Sequence, residues 1–225
     1  MNVDAALRCI DIHSHHRQSD GCYRIISLDI RTFELQNRPR HPYSLGIHPW
    51  FIEEQRCHDA LRKIAAVIRD DNMLAVGECG LDKLADAPMG LQESLFRAQL
   101  GLAERAAKPV VIHCVRAFNE LIRIKKTEKM ARFWVIHGFN TKLQIAEQLL
   151  QSGCFLSFGK ALLHDGSNAS RALRVTPLDQ LFLETDEAEG TLGEIYAAAA
   201  RIKQLDPNVL RAHINTNFKR VFLHG

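Results

Sequence analysis

Two histidines spaced i, i+2 stand near the start of this 225-residue chain, in Cys9-Ile10-Asp11-Ile12-His13-Ser14-His15. On an extended strand alternate side chains share a face, so Asp11, His13 and His15 are expected on one side and Ile10 and Ile12 on the other. Two imidazoles converging from one strand end suit zinc or another borderline transition ion. Groups of the same chemical type follow further apolar runs: His48 after Tyr43-Ser44-Leu45-Gly46-Ile47, Glu78 after Leu74-Ala75-Val76-Gly77, and His113 after Val110-Val111-Ile112. His137 follows Trp134-Val135-Ile136, and Asp186 follows Phe182-Leu183-Glu184-Thr185. Four histidines and two carboxylates meeting in one place are enough for two metals bridged by a carboxylate and a water.

Only a fold that collects strand ends can bring these groups together. After the first strand, further strands are expected at 23–30, 43–47, 73–77, 110–112, 133–136, 154–157 and 181–183. Helices are expected at 53–70, 90–107, 117–129, 142–152, 169–173, 192–205 and from Asp206-Pro207 to 222, where an Asp cap precedes a proline at the first helical position. Apolar residues at Leu61, Ile64, Ala65 and Ile68 carry the helical period in the first of these. The gap at 16–22 is too short for a crossover helix, and Arg38-Pro39-Arg40-His41-Pro42 reads as a loop. Eight short apolar strands alternating with helices predict an α/β fold, a (β/α)8 TIM-type barrel with abbreviated first βα units. A doubly wound sheet is the alternative, but its phosphate-binding glycine fingerprint is absent. In such a barrel the active site lies at the C-terminal ends of the strands, where the groups above fall.

A single domain over 1–225 is expected, with 46% hydrophobic and 24% charged residues. No apolar run approaches the ~18–20 residues of a membrane span, and the first residues lack a signal pattern, so a cytoplasmic protein is expected. Six cysteines without C-x-x-C spacing read as small buried hydrophobes in a reducing compartment, not as zinc ligands. A net charge of +3 permits an anionic substrate but does not by itself indicate nucleic-acid binding.

Asp11-Ile12-His13-Ser14-His15, Gly46-Ile47-His48-Pro49, Gly77-Glu78-Cys79-Gly80-Leu81-Asp82, Ile112-His113-Cys114, Ile136-His137-Gly138-Phe139 and Glu184-Thr185-Asp186 occur in this order. They resemble the motifs of the TatD family of metal-dependent deoxyribonucleases, within the amidohydrolase-like hydrolases. The similarity runs from about residue 9 to 222 and closes on Asn217-Phe218-Lys219-Arg220-Val221-Phe222. The resemblance implies that His13, His15 and Asp186 hold one metal, that His113 and His137 hold a second, and that Glu78 bridges them. It implies catalysis centred on Glu78 and Asp186, the latter accepting a proton from the attacking water. It also implies a nuclease, magnesium-dependent in family members and often exonucleolytic on single-stranded DNA. The imidazole-rich set suits zinc, manganese or nickel better than magnesium, and the identity of the two divalent ions is left open among these four.

Other residues carry two readings. His48 contacts a substrate phosphate or caps its strand. Arg116 could contact phosphate as a forked donor, although the family more often places its arginine one residue earlier, at Val115 here. Asp82 holds the loop after Glu78. Asp11 and Glu184 orient ligand imidazoles or are satisfied by barrel hydrogen bonds. Trp50, Phe51 and Phe139 stack on bases or pack. Lys125, Lys126, Lys129 and Arg132 complement a helix dipole or steer DNA. His16, His41, His58, His164, His213 and His224 are read as surface residues. Where the family commonly continues with Ala or Ser and then Pro, this chain reads Glu187-Ala188-Glu189-Gly190, and the two extra acids, Glu187 and Glu189, would repel a polyanion. The expected substrate is therefore single-stranded DNA or another phosphodiester. Hydrolysis of a different ester, amide or lactone bond is the alternative, and a non-catalytic metal-binding barrel is the third reading.

Overall fold

The computed structural model describes residues 8–18, 20–128, 133–188 and 192–223. Eight parallel strands pair in sequence order: β1 (Ile10–Ser14), β2 (Tyr23–Asp29), β3 (Tyr43–Gly46), β4 (Met73–Asp82), β5 (Val110–Val115), β6 (Trp134–Ile136), β7 (Phe155–Phe158) and β8 (Leu181–Leu183). Each is buried almost throughout, because a parallel barrel strand meets side chains inside and helices outside. The ring closes where the Asp186 amide donates to His13 O (2.9 Å) and the His15 amide donates to Asp186 O (3.0 Å).

From β3 onward the helices follow regularly: α1 (Glu54–Val67), α2 (Met89–Arg105), α3 (Phe118–Thr127), α4 (Leu143–Gln151), α5 (Asn168–Val175), α6 (Leu192–Lys203) and α7 (Pro207–Phe218). Their apolar stripes face the sheet; in α2 these are Leu95, Phe96, Leu100 and Ala103. Asp206 caps α7 by accepting from the Asn208 amide (2.8 Å) ahead of Pro207, as the sequence predicts. No helix lies between β1 and β2 or between β2 and β3 among the described residues, so the abbreviated units are real.

Side chains supply the ties that missing helices would have given. Arg24 on β2 donates through Nε to Asp11 (3.1 Å) and through both terminal nitrogens to Asp20 (2.5 Å each), holding the short β1–β2 connection against the strands. Tyr196 on α6 both accepts from the Ile10 amide (2.9 Å) and donates to its carbonyl (3.0 Å). The C-terminal motif has a structural purpose: Asn217 donates to Leu178 O and Leu181 O at the start of β8, and Phe218 packs edge-on against Tyr23. All six cysteines are free thiols. Among the described residues no helix is long and apolar enough to cross a membrane. Lys125 sits over the Trp134 ring at 4.5 Å, while Lys129, Arg132, Glu189 and His224 lie outside the described residues.

Candidate metal centre

Glu78 is the hub. The sequence ends its strand at Gly77, but β4 continues through Asp82, and two glycines let it do so. Gly77 (φ +150°) and Gly80 (φ +148°) adopt backbone angles that disfavour side chains. A Cβ would fall 2.5 Å from Val111 O at the first and 2.0 Å from His113 O at the second. The close approach of β4 to β5 brings Glu78 against His113. Glu78 Oε1 lies 2.8 Å from His113 Nδ1 and 2.7 Å from His137 Nε2, while Oε2 lies 3.4 Å from His13 Nε2 and 3.7 Å from His15 Nε2. Asp186 Oδ1 stands 3.5 Å from both His13 and His15. All six expected ligands therefore meet, with one oxygen of Glu78 turned to each histidine pair.

The supporting contacts set which nitrogen each ring presents. His113 Nε2 lies 3.0 Å from Asp82 Oδ2 and Nδ1 faces Glu78, so with a cation held between Nδ1 and Glu78 the ring proton would sit on Nε2 and be donated to Asp82. Asp82 also accepts from Trp50 Nε1 (2.6 Å) and from the Leu84 amide (2.7 Å), so it holds its loop as expected and orients a ligand as well. Glu184 accepts from the Gly138 amide (2.5 Å) and faces His137 Nδ1 at 3.4 Å, which is the orienting reading. His48 caps the turn Pro49–Phe51 by accepting from the Trp50 amide at Nδ1 (3.1 Å). In the neutral ring its proton is then on Nε2, 3.2 Å from Glu78 Oε1. His48 thus offers a donor to the mouth, not a free lone pair.

Asp11 takes the second of its two sequence readings. A register shift between Asp11 and Ser14 breaks the strand alternation. Asp11 instead accepts from the Thr185 amide (3.1 Å), Thr185 Oγ1 (2.7 Å) and Arg24. Barrel hydrogen bonds satisfy it, and through Thr185 it fixes the β8 end that carries Asp186.

Charge in the cluster is balanced locally. Burial opposes ionisation of Glu78, but His137 foremost, with His113 and His13 beside it, holds its carboxyl well below the usual range. Burial and His137 oppose protonation of His13, yet the Asp186 and Glu78 carboxylates outweigh them and raise it to about 9. Burial likewise opposes protonation of His137, and Glu78 and Glu184 overcome it. Both ring nitrogens of His13 are buried without a hydrogen-bond partner, and three overlapping His/Glu/Asp groups each bring their ligand atoms within 4.8 Å. Unpartnered imidazole nitrogen beside ionised carboxylate is a donor set fitted to divalent cations.

Around the cluster lies a cavity of about 460 Å³. Trp50 (59% exposed) and Phe51 are open at its rim, whereas Phe139 is buried and packs against Phe118 and Phe158. Glu187 lines the cavity. Arg116 follows β5 with φ +55°, exposed and outside the lining. Among the described lining residues the permanent cation is Arg31, which the sequence reading missed. So too were Gln92 and Gln99 of α2: Gln92 brackets the Asp82 backbone (2.8 and 2.9 Å), and Gln99 accepts from the Ile47 amide beside His48 (2.6 Å). Their signal was present as two glutamines seven residues apart on the buried stripe of one helix.

A family model described as TatD related DNase matches residues 27–223. The Escherichia coli K12 protein described as uncharacterized metal-dependent hydrolase YjjV is 31% identical over 169 residues, spanning 72% of this chain and 63% of that protein. The 3'-5' ssDNA/RNA exonuclease TatD of Erwinia tasmaniensis is 32% identical over 149 residues, 63% of this chain and 56% of that one. These matches span less than two thirds of the relatives' own length. The crystal structure of YjjV, a TatD homologue from Escherichia coli K12, superposes with a TM-score of 0.83 at 23% identity, covering 96% of this chain and 98% of that one. The family model spans residues 27–223, well over half of the chain, and so the chain belongs to the TatD-related DNase family.

Proposed function

We propose that this chain is a metal-dependent phosphodiesterase acting on single-stranded nucleic acid. The observation that carries the reading is the divided carboxylate of Glu78, with Oε2 toward His13 and His15 and Oε1 toward His113 and His137. His13, His15 and Asp186 would hold one divalent ion and His113 and His137 a second, with Glu78 shared. Ions there supply Lewis acidity, bringing the pKa of water toward ~7 and offsetting charge on phosphate oxygens. Asp186, whose side chain is 39% exposed, is the carboxylate a water can reach and is the proton acceptor. His48 donates Nε2–H to a phosphate oxygen or to the leaving oxygen. Asp82 and Glu184 fix the rings of His113 and His137. The named activity of the Erwinia relative supports the nucleic-acid substrate. Six free thiols fit a reducing compartment such as the cytoplasm.

One observation favours a second reading. Asp29 and Glu187 line the mouth, and Arg31, the one permanent cation among its described lining residues, is already paired to Asp29 (2.5 Å). That balance would also admit a neutral ester, amide or lactone. Metal analysis followed by turnover of labelled single-stranded DNA and of a chromogenic phosphodiester decides between them. Bound metal with cleavage of either substrate is expected; bound metal without phosphodiester cleavage overturns the proposal in favour of the second reading.

A further inference from the structure

A second cavity of about 240 Å³ adjoins the mouth and shares Ile30, Arg31 and Phe51 with it. It lies between the end of β2 and the flank of α1, where the helix between β2 and β3 is missing. Ile47 and Ala60 line its apolar part. The wall between the two cavities is an ordered stack. Arg31 donates Nε and Nη2 to Asp29 (3.0 and 2.5 Å), which lays its guanidinium 3.5 Å over the Phe51 ring. Phe51 in turn lies 5.4 Å from the His48 ring, itself 3.2 Å from Glu78. A continuous path of flat groups thus leads from the candidate metal centre to the second cavity.

We propose that this cavity is a nucleobase subsite, receiving the base next to the scissile phosphate; the inference rests on the phosphodiesterase reading above. Size and chemistry both point to a base. The cavity is smaller than the ~300–1,000 Å³ of sites for drug-sized ligands, as suits one ring system. Its rim mixes Arg56 and Lys63 with Glu53 and Asp59, which suits the hydrogen-bonding edge of a neutral heterocycle and not a second phosphate. Phenyl and guanidinium planes both stack on bases irrespective of sequence. The cavity lies beside the helix-free connection between β2 and β3, which is tied to α1 where Lys63 donates to Phe33 O (3.1 Å).

The test uses the metal-loaded protein and two substrates: the dinucleotide TpT, and methyl p-nitrophenyl phosphate, which carries no base. The readout is the preference for TpT, taken as the ratio of the two kcat/KM values, in which the better p-nitrophenolate leaving group weighs on every variant alike and cancels. Phe51→Ala, which removes the stack, and Ala60→Phe, which fills the cavity from α1, should each lower that preference about tenfold, mainly through KM. Phe51→Trp should restore it. Two variants on different elements keep the test valid if one fails to fold, as thermal unfolding would show. Turnover of both substrates with an unchanged preference overturns the subsite alone. Absence of turnover on either substrate overturns the phosphodiesterase reading and the subsite with it.

Discussion

The two sides of the barrel are built differently. From β4 to β8 each strand is followed by a helix whose apolar stripe covers it. Contacts of that kind are non-directional and many, so no single one is decisive. From β1 to β3 the connections are helix-free, and Arg24, Asp11, Asp20 and Thr185 hold the strands through directional bonds. The helical side supplies Glu78, His113 and His137 on a rigid frame; the helix-poor side supplies His13 and His15 and opens the mouth outward past Arg31 and Phe51. Economy of chain on one side is thus offset by buried polar ties and exposes space for substrate.

The comparison can be broken hardest at the point where both sides meet. Glu78→Ala should remove bound metal together with about a thousandfold or more of turnover; full metal occupancy at wild-type rate would dismiss Glu78 as the shared ligand. Next in size is a stability contrast. Arg24→Met leaves Asp11 and Asp20 without their cation, and Asp11 is fully buried, so denaturant unfolding should show a loss of about 3–5 kcal/mol. On the helical side Arg123→Ala, which breaks the exposed pair between α3 and α2, should cost under ~1 kcal/mol. Equal losses would erase the distinction between the halves.

Asp82→Asn should weaken metal binding ~10–100-fold, because the amide no longer compels His113 to donate from Nε2 and keep Nδ1 free. Titration with manganese or zinc measures it, and unchanged affinity would return Asp82 to a loop-holding role alone. The smallest expected effect is in pH. His13 is raised above its unfolded value to about 9, so in the metal-free protein its contribution to stability is present in full below ~6.5 and is lost as pH rises through about 9. Metal binding needs that nitrogen deprotonated and runs the other way. The rise in Tm on adding metal should therefore be larger at pH 8.5 than at pH 6, and the reverse order would contradict the ligand assignment of His13.

Most of the element order was legible because its signals are local. The helical period in α1, the Asp206-Pro207 start of α7 and the apolar run at 181–183 each depend on neighbours a few residues away. The candidate ligand set was legible for the same reason, since His13, His15, His137 and Asp186 stand at or just past a strand end and His113 two residues before the end of β5. Which of its two readings Asp11 takes was not legible, because a register shift cannot be read from alternation alone. Arg116 looked suited to phosphate by its type and position in the chain, yet Arg31 is the arginine that reaches the mouth, because Asp29 and Phe51 hold it there.

By itself, then, the amino-acid sequence determined the eight-strand alternation, the shortened first units and the chemical types that end the strands, all properties of residues close together in the chain. Tertiary structure alone decided which ring nitrogen each histidine presents, how Glu78 divides its oxygens, and that a second cavity opens behind Phe51. Those depend on contacts such as His113 with Asp82, His137 with Glu184 and Phe51 with Arg31, and only the closing of the barrel brings such distant residues within bonding distance.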